Sequence, residues 1–399
     1  MKILLCCESF SPNTGGVQKM MHEIGMQFVS FGHNVSVATT WNESRDFIEI
    51  DGLRIHSFKV QGNSSKGLIG EVGKYQDFLI NGDYDCLLVM AAQQWTLDAM
   101  LPVLNEIKYI KLHIPCGYSG FFQKKYSHYY NEMKSYLSGF DHLIYNASDY
   151  RDINFARNLG LNDKINIIPA GASEAEFGQN PKLNIKNKLG IMDKDFIFLS
   201  VGNPPYLKGH REIIKAYNKA ELSGDSVLVL NGAYEKHSQH FSKEWFKDIL
   251  RRALGRAPSS IKKLAKNIRA NNKRVIFIDL NRNEIVSLFY ESDLFVFASY
   301  VEYSPLVIYE CLAAGLPFLT VPVGNTQEII SNSNGGVICG AQINQEGFTK
   351  VEPLLLAQEM EKLYINKTKL HELHINGRIA WEQKYTWNKI ARQIEKLFT

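Results

Sequence analysis

Lys2-Ile-Leu-Leu-Cys-Cys-Glu8 is a continuous apolar run closed by an acid, the pattern of a strand buried on both faces. The turn Ser11-Pro-Asn-Thr-Gly-Gly16 follows, and the spacing predicts an amphipathic helix over 17–31, stopped by Gly32-His33. Residues 35–39 read as a second strand. Working outward, further strands are predicted at 53–60, 84–91, 109–114, 142–145 and 165–168, with helices in most of the gaps. That alternation builds a doubly wound parallel sheet.

The pattern then starts again. Asn180-Pro181 opens a polar stretch to Lys194 that reads as a linker. Strands are predicted at 196–201, 227–230, 275–278, 294–297 and 316–321, and helices at 208–220 and 305–314. The expected architecture is α/β, with two Rossmann-like domains, 1–180 and 181–383, facing a central cleft. A last helix within 380–399, anchored by Trp381, Trp387, Ile394 and Leu397, is expected to cross back so that 384–399 packs on the first domain.

Composition narrows the class. A chain of 399 residues, 45% hydrophobic and 22% charged with 29 Gly and 12 Pro, is not disordered, collagen-like or coiled coil. Its 45 Lys+Arg against 41 Asp+Glu leave +4, too near balance for a surface devoted to nucleic acid. No run approaches the roughly 18 apolar residues of a membrane span, and the apolar start meets Glu8 too soon for a signal peptide. Six scattered cysteines without a C-x-x-C pair argue against a disulfide framework or structural zinc and suit a reducing cytoplasm.

Four places could carry chemistry. In Glu302-Tyr-Ser-Pro-Leu-Val-Ile-Tyr-Glu310-Cys-Leu-Ala-Ala-Gly315, Ser304 reads as a helix cap and Pro305 as the first helical residue. The helix start is then an anion site. Glu310 is the lone charge in an apolar helix, and it either reaches the same mouth or pairs with a core lysine or backbone group. Gly202-Asn-Pro-Pro-Tyr-Leu-Lys208-Gly209 puts a lysine at a helix start, which an anion would favour, although a solvated lysine fits equally. Gly15-Gly16 allows close backbone approach or is a plain tight turn. His113, at a strand end, is either a ligand contact or a hydrogen-bonded structural residue. Asp83-Tyr-Asp85 precedes a buried strand and reads as structural, so no metal ligands are assigned.

In this order, these residues resemble the retaining GT-B glycosyltransferases that use nucleotide-sugar donors, glycosyltransferase family 4 of the "group 1" type. The resemblance runs through Gly15-Gly16-Val17, Gly32-His33-Asn34-Val35, Ile167-Ile168-Pro169-Ala170-Gly171, Val201-Gly202 to Lys208-Gly209, the Glu302-x7-Glu310 pair, and Val323-Gly324-Asn325 to Glu328-Ile329-Ile330. It implies a metal-independent transfer of a sugar, with retention, from a nucleotide-diphosphate donor to a glycan or lipid-linked acceptor, in a setting such as bacterial surface polysaccharide synthesis. Lys208 then resembles the lysine that neutralises the diphosphate, Glu310 the glutamate on the ribose hydroxyls, and Glu302 the glutamate at the sugar. The amides of Ser304, Pro305, Leu306 and Val307 would meet sugar or phosphate. Gly15 and Gly16 would lie near the donor phosphates, and His113 near the transferring sugar. Asn203 stands where the family's arginine is usual, so one diphosphate cation is missing; Arg282 is a candidate replacement. Asn203 also keeps open a catalytically silent partner subunit, and the architecture keeps open a nucleotide-sugar epimerase.

Residues 243–274 hold eleven Lys/Arg against Glu244 and Asp248, with an apolar side that includes Trp245, Leu250 and Leu264. Such a segment either lies on an anionic membrane surface, making the protein peripheral on the inner membrane face, or packs as a solvated helix. The aromatic stretch 118–140 suits an acceptor site or an ordinary core.

Overall fold

The computed structural model describes residues 1–13, 15–118, 120–232, 261–266, 268, 270–345 and 347–399. They form two units, Met1–Ser173 with Lys384–Thr399, and Glu174–Gln383.

The first unit strings together β1 (Lys2–Cys6), β2 (Asn34–Thr40), β3 (Glu49–Ile50), β4 (Leu53–Phe58), β5 (Val60–Asn63), β6 (Gly67–Gly70), β7 (Cys86–Met90), β8 (Ile110–Ile114), β9 (His142–Tyr145) and β10 (Ile165–Ile167). Its main sheet has the order β10-β9-β8-β7-β1-β2-β4-β3 and is parallel except for the edge pair β3–β4. β1 lies in the middle, and Ile3, Leu4, Leu5 and Cys6 are fully buried, as a strand covered on both faces requires. The expected single strand over 53–60 is two, because the chain turns after Phe58 into an antiparallel hairpin, β5–β6.

The helix Trp387–Glu395 belongs to this unit. It packs on the helix Gly16–Ser30, with the Phe398 and Phe28 rings 5.2 Å apart and His33 Nε2 2.8 Å from Glu395 Oε1. Phe398 is the buried anchor of the tail, whereas Leu397, the expected one, is only half-buried.

The second unit holds β11 (Phe196–Val201), β12 (Ser226–Asn231), β13 (Lys273–Ile278), β14 (Leu294–Phe297), β15 (Phe318–Thr320) and β16 (Gly336–Ile338) in the order β13-β12-β11-β14-β15-β16, with every pair parallel. Strand order reverses between β11 and β14. A ligand crevice in such a sheet opens at the carboxyl ends beside that reversal.

The division falls at Ser173/Glu174 rather than at 180/181. The stretch expected to be a linker is tied into the second unit instead. Leu183 N donates to Ser287 Oγ at 3.0 Å, and Glu291 accepts from the amides of Ile185 and Lys186. No helix among the described residues is long and apolar enough to cross a membrane. Of the basic segment 243–274, residues 243–260, 267 and 269 lie outside the described residues, so the expected membrane-facing helix is left where the sequence put it.

Candidate functional site

The carboxyl end of β11 leads into the loop that carries Asn203 and Lys208. The helix after it spans His210–Lys219, so Lys208 stands just ahead of the helix, whereas the sequence pattern puts it inside a helix over 208–220. Gly209 sits between them with φ of 71°, and a Cβ there would collide with the Ala298 carbonyl oxygen. Glycine therefore lets the loop lie directly against the end of β14. Tyr300 N donates to the Leu207 carbonyl at 2.9 Å and locks it there.

That seating aims Lys208 at Glu302. Lys208 Nζ lies 2.5 Å from Glu302 Oε1, and Ser299 Oγ donates to the same oxygen at 2.6 Å. The lysine side chain is 23% exposed and the glutamate 12%. An ion pair this far from bulk water is screened less than a surface pair. Asn203 is exposed on the same loop, near Gly232 at the end of β12.

Eight residues beyond Glu302 comes Glu310, on the helix Leu306–Ala314. The helix starts one residue later than the sequence suggests. Pro305 is the extended residue ahead of it (ψ 111°), and Ser304 does not cap it. Ser304 Oγ is engaged elsewhere, 3.2 Å from Tyr309 Oη and accepting from Asn325 Nδ2 at 3.1 Å. Pro305 has no N–H, so of the expected donor run only Ser304, Leu306 and Val307 can offer amides. Leu306 and Val307 supply the first two N–H groups of the helix, which have no intrahelical acceptor. Gly324 (φ 57°) closes the arrangement: it presses on the Tyr303 carbonyl, and Asn325 N donates to that carbonyl at 2.8 Å.

The Glu310 carboxylate is met by an arginine from another helix. Arg282 Nη2 donates to Glu310 Oε1 at 2.6 Å, and Arg282 Nε and Nη2 donate to the two oxygens of Glu176 at 3.1 and 2.6 Å. Burial works against the guanidinium charge, but the carboxylates of Glu310 and Glu176 outweigh it and hold its pKa above the ordinary value. Arg282, considered from sequence as a diphosphate cation, is thus already committed to two acids. Glu176 was not foreseen. The usable signal was Arg282 itself, a cation at the first position of a helix, where the dipole disfavours it.

The remaining expected residues belong to the first unit. Gly15 and Gly16 are exposed, and Gly15 N-caps the helix Gly16–Ser30 with extended backbone, so φ does not demand glycine there; a Cβ on Gly15 would first meet the flexible end of Gln18, at its Oε1. His113 lies within β8 and is fully buried, not presented at an open strand end. Its Nδ1 is 3.1 Å from the Val89 carbonyl and its ring stacks on Phe140 at 5.1 Å. Burial depresses its pKa to about 4, the Val89 contact opposing only in part, so the ring is neutral at pH 7.

The second unit therefore sets an ammonium–carboxylate pair at the ends of β11 and β14, ahead of a helix start, and a second carboxylate, paired with a guanidinium, on that helix. This combination suits a ligand with an anionic centre flanked by hydroxyl groups. Residues 181–371 match the family model described as "Glycosyl transferases group 1". An uncharacterized glycosyltransferase of Methanocaldococcus jannaschii is 22% identical over 240 residues, which are 59% of this chain and 54% of the relative. The chain thus spans about half the length of that curated relative. Among solved structures, sucrose-phosphate synthase from Thermosynechococcus elongatus superposes with a TM-score of 0.73 at 17% identity, covering 100% of this chain and 98% of that one. HepE of Anabaena, solved in complex with UDP, gives 0.69 at 15% identity with 99% of each chain covered. At these identities the structural likeness establishes the fold, which is that of the GT-B glycosyltransferases.

Proposed function

Because residues 181–371 match the model of the group 1 glycosyl transferases, we propose that the chain moves a sugar from a nucleotide-diphosphate donor to a glycan or lipid-linked acceptor with retention at the anomeric carbon. The observation that carries this reading is the Lys208–Glu302 pair beside the helix start at Leu306. As the bond to the sugar breaks, the diphosphate gains negative charge and the sugar becomes oxocarbenium-like. Lys208 and the amides of Leu306 and Val307 are placed to stabilise the first. Glu302, released as Lys208 turns to phosphate, would face the second. Fixed donors of this kind need no reorganisation during the reaction, which supports a metal-independent transfer. Glu310 would accept the two ribose hydroxyls.

The complexes of HepE with UDP and with UDP-glucose support a uridine nucleotide as the first donor to try. His113, buried and neutral, would act by shaping the first unit rather than by proton transfer, and Gly15-Gly16 would let the donor phosphates approach backbone. The basic run over 243–274 would hold the protein at an anionic membrane surface on the cytoplasmic side, where surface polysaccharides are assembled. Vesicle sedimentation checks that. The epimerase and silent-subunit readings are not favoured, since the matched family is one of transferases.

Incubation with UDP-, GDP- and ADP-sugars should release free nucleoside diphosphate from one of them, undiminished by a metal chelator. No release from any donor, with or without extracts containing acceptor, overturns the proposal. Glu310→Ala should weaken nucleotide binding in calorimetry by about tenfold or more, the worth of hydrogen bonds to a charged group.

A further inference from the structure

A cation at the first position of a helix opposes the dipole, yet Arg282 occupies that position in the helix Arg282–Glu291. It is not needed to start the helix. Asn281 and Glu284 already form a reciprocal cap, with Glu284 N donating to Asn281 Oδ1 at 3.0 Å and Asn281 N to Glu284 Oε2 at 3.2 Å. What the position does offer is reach to two carboxylates from elsewhere in the unit. One guanidinium edge grips both oxygens of Glu176, and the shared Nη2 donates to Glu310 Oε1. The Phe177 ring lies 5.5 Å from the guanidinium carbon, and the Phe177 carbonyl is in turn held by Tyr290 and Arg378. The fork is therefore fixed at its base.

We propose that Arg282 is a positioning residue for nucleotide recognition: anchored on Glu176, it orients the Glu310 carboxylate so that its other lone pairs meet the vicinal hydroxyls of a ribose. The proposal rests on the reading of Glu310 given above and adds the residues that prepare it. An ionised carboxylate offers about four acceptor sites, and Arg282 uses one of them, on Oε1. The complementary ligand is a diol, which donates twice. Two acids around one cation leave a net negative charge, which suits hydroxyl groups and repels phosphate. Arg282 is for that reason not the substitute for the arginine missing at Asn203. A lysine could not reproduce the bidentate grip on Glu176, so charge alone would not preserve the geometry.

The test is calorimetric titration with UDP, GDP and ADP, each against its 2′,3′-dideoxy form. For the nucleotide that binds, removing the diol should weaken the native protein by about tenfold or more. In Arg282→Ala that ratio should fall below about threefold, although the melting temperature also drops because two largely buried carboxylates lose their cation. Arg282→Lys and Glu176→Gln should fall between. Should Arg282→Ala not fold, Arg282→Lys carries the same comparison. A variant that loses stability and binds both forms more weakly, at an unchanged ratio, shows a merely structural arginine and overturns the proposal. If Glu310→Gln collapses the ratio and the Arg282 variants do not, positioning fails while the ribose contact stands. If the native protein ignores the diol, or binds none of the nucleotides, the ribose reading fails and this one with it.

Discussion

The two units share a parallel-sheet plan, but four of their carboxylates are held in two different ways. In the first, Asp98 accepts from Tyr129 Oη and Ser64 N, each at 2.8 Å, and Asp152 accepts from Gly117 N at 2.9 Å. Their donors include neutral hydroxyl and amide groups built into the fold. In the second, Glu302 faces Lys208 and Glu310 faces Arg282. An acid held by neutral donors is satisfied by architecture and gains little from exchanging them. An acid held by a cation shares a partner that an incoming anion can take. The pairs Lys208–Glu302 and Arg282–Glu310 thus leave partners that an anion could exchange, whereas Asp98 and Asp152 are held by the fold itself.

The sharpest way to break that contrast is Lys208→Ala. Turnover should drop about 10²- to 10³-fold, the worth of one preorganised donor to a developing anion, while the melting temperature moves by a few degrees at most. Equal losses of activity and stability would make Lys208 a structural residue and erase the distinction. Next in size is Phe398→Ala, which deletes the ring that packs on Phe28. About 3 kcal/mol of stability should be lost, and calorimetry should show the first unit melting ahead of the second. A single undivided transition would mean that the units share one cooperative fold.

Acid provides a third probe. His113 in the first unit is held at about 4, and His210 in the second, also by burial, at about 3, against 6.5 for the exposed ring. As pH falls, the unfolded chain takes up these protons first. The stability these neutral rings allow is therefore complete above pH 6.5 and declines as pH drops toward 4. The decline for His113 alone is at most roughly 3 kcal/mol. His113→Leu should flatten the urea-midpoint profile between pH 6.5 and 4, and an unchanged slope would show that the ring is not buried neutral. The smallest effect is expected from Asn203→Arg, which restores the cation usual at that loop. Nucleotide affinity should rise about threefold, within the worth of one exposed ion pair; no change would mean that the loop does not meet the diphosphate.

Much of the fold is written in local pattern. β9, β11 and β14 fall where their apolar runs predict, since strands covered on both faces advertise themselves without regard to neighbours. The hairpin β5–β6 is not legible, because it carries three glycines and exposes Ile69, leaving no alternation to read. At the site, the residue types were legible and their partners were not. Ser304 has the chemistry of a cap, but Asn325 and Tyr309, distant or on the far side of a turn, claim its hydroxyl. Lys208 and Glu302 are 94 positions apart, and Arg282 and Glu310 are 28 apart. No periodicity links such pairs; only the packing of β11 beside β14 brings the first together. Glu176 was invisible for the same reason, standing 106 positions from Arg282.

The helix Gly16–Ser30 is completed by Trp387–Glu395, and the bond between His33 and Glu395 spans 362 residues. At roughly 5–20 residues per second on the ribosome, the early helix waits on the order of 20 to 70 seconds for its cover. During that interval Phe28 and its neighbours lack the helix that covers them, while every residue of the second unit, Glu174–Gln383, is synthesised. Biogenesis of this protein accordingly runs against the order of its gene: the half made first is the half finished last, and a chaperone that shields one amphipathic helix during translation is the assistance its architecture calls for.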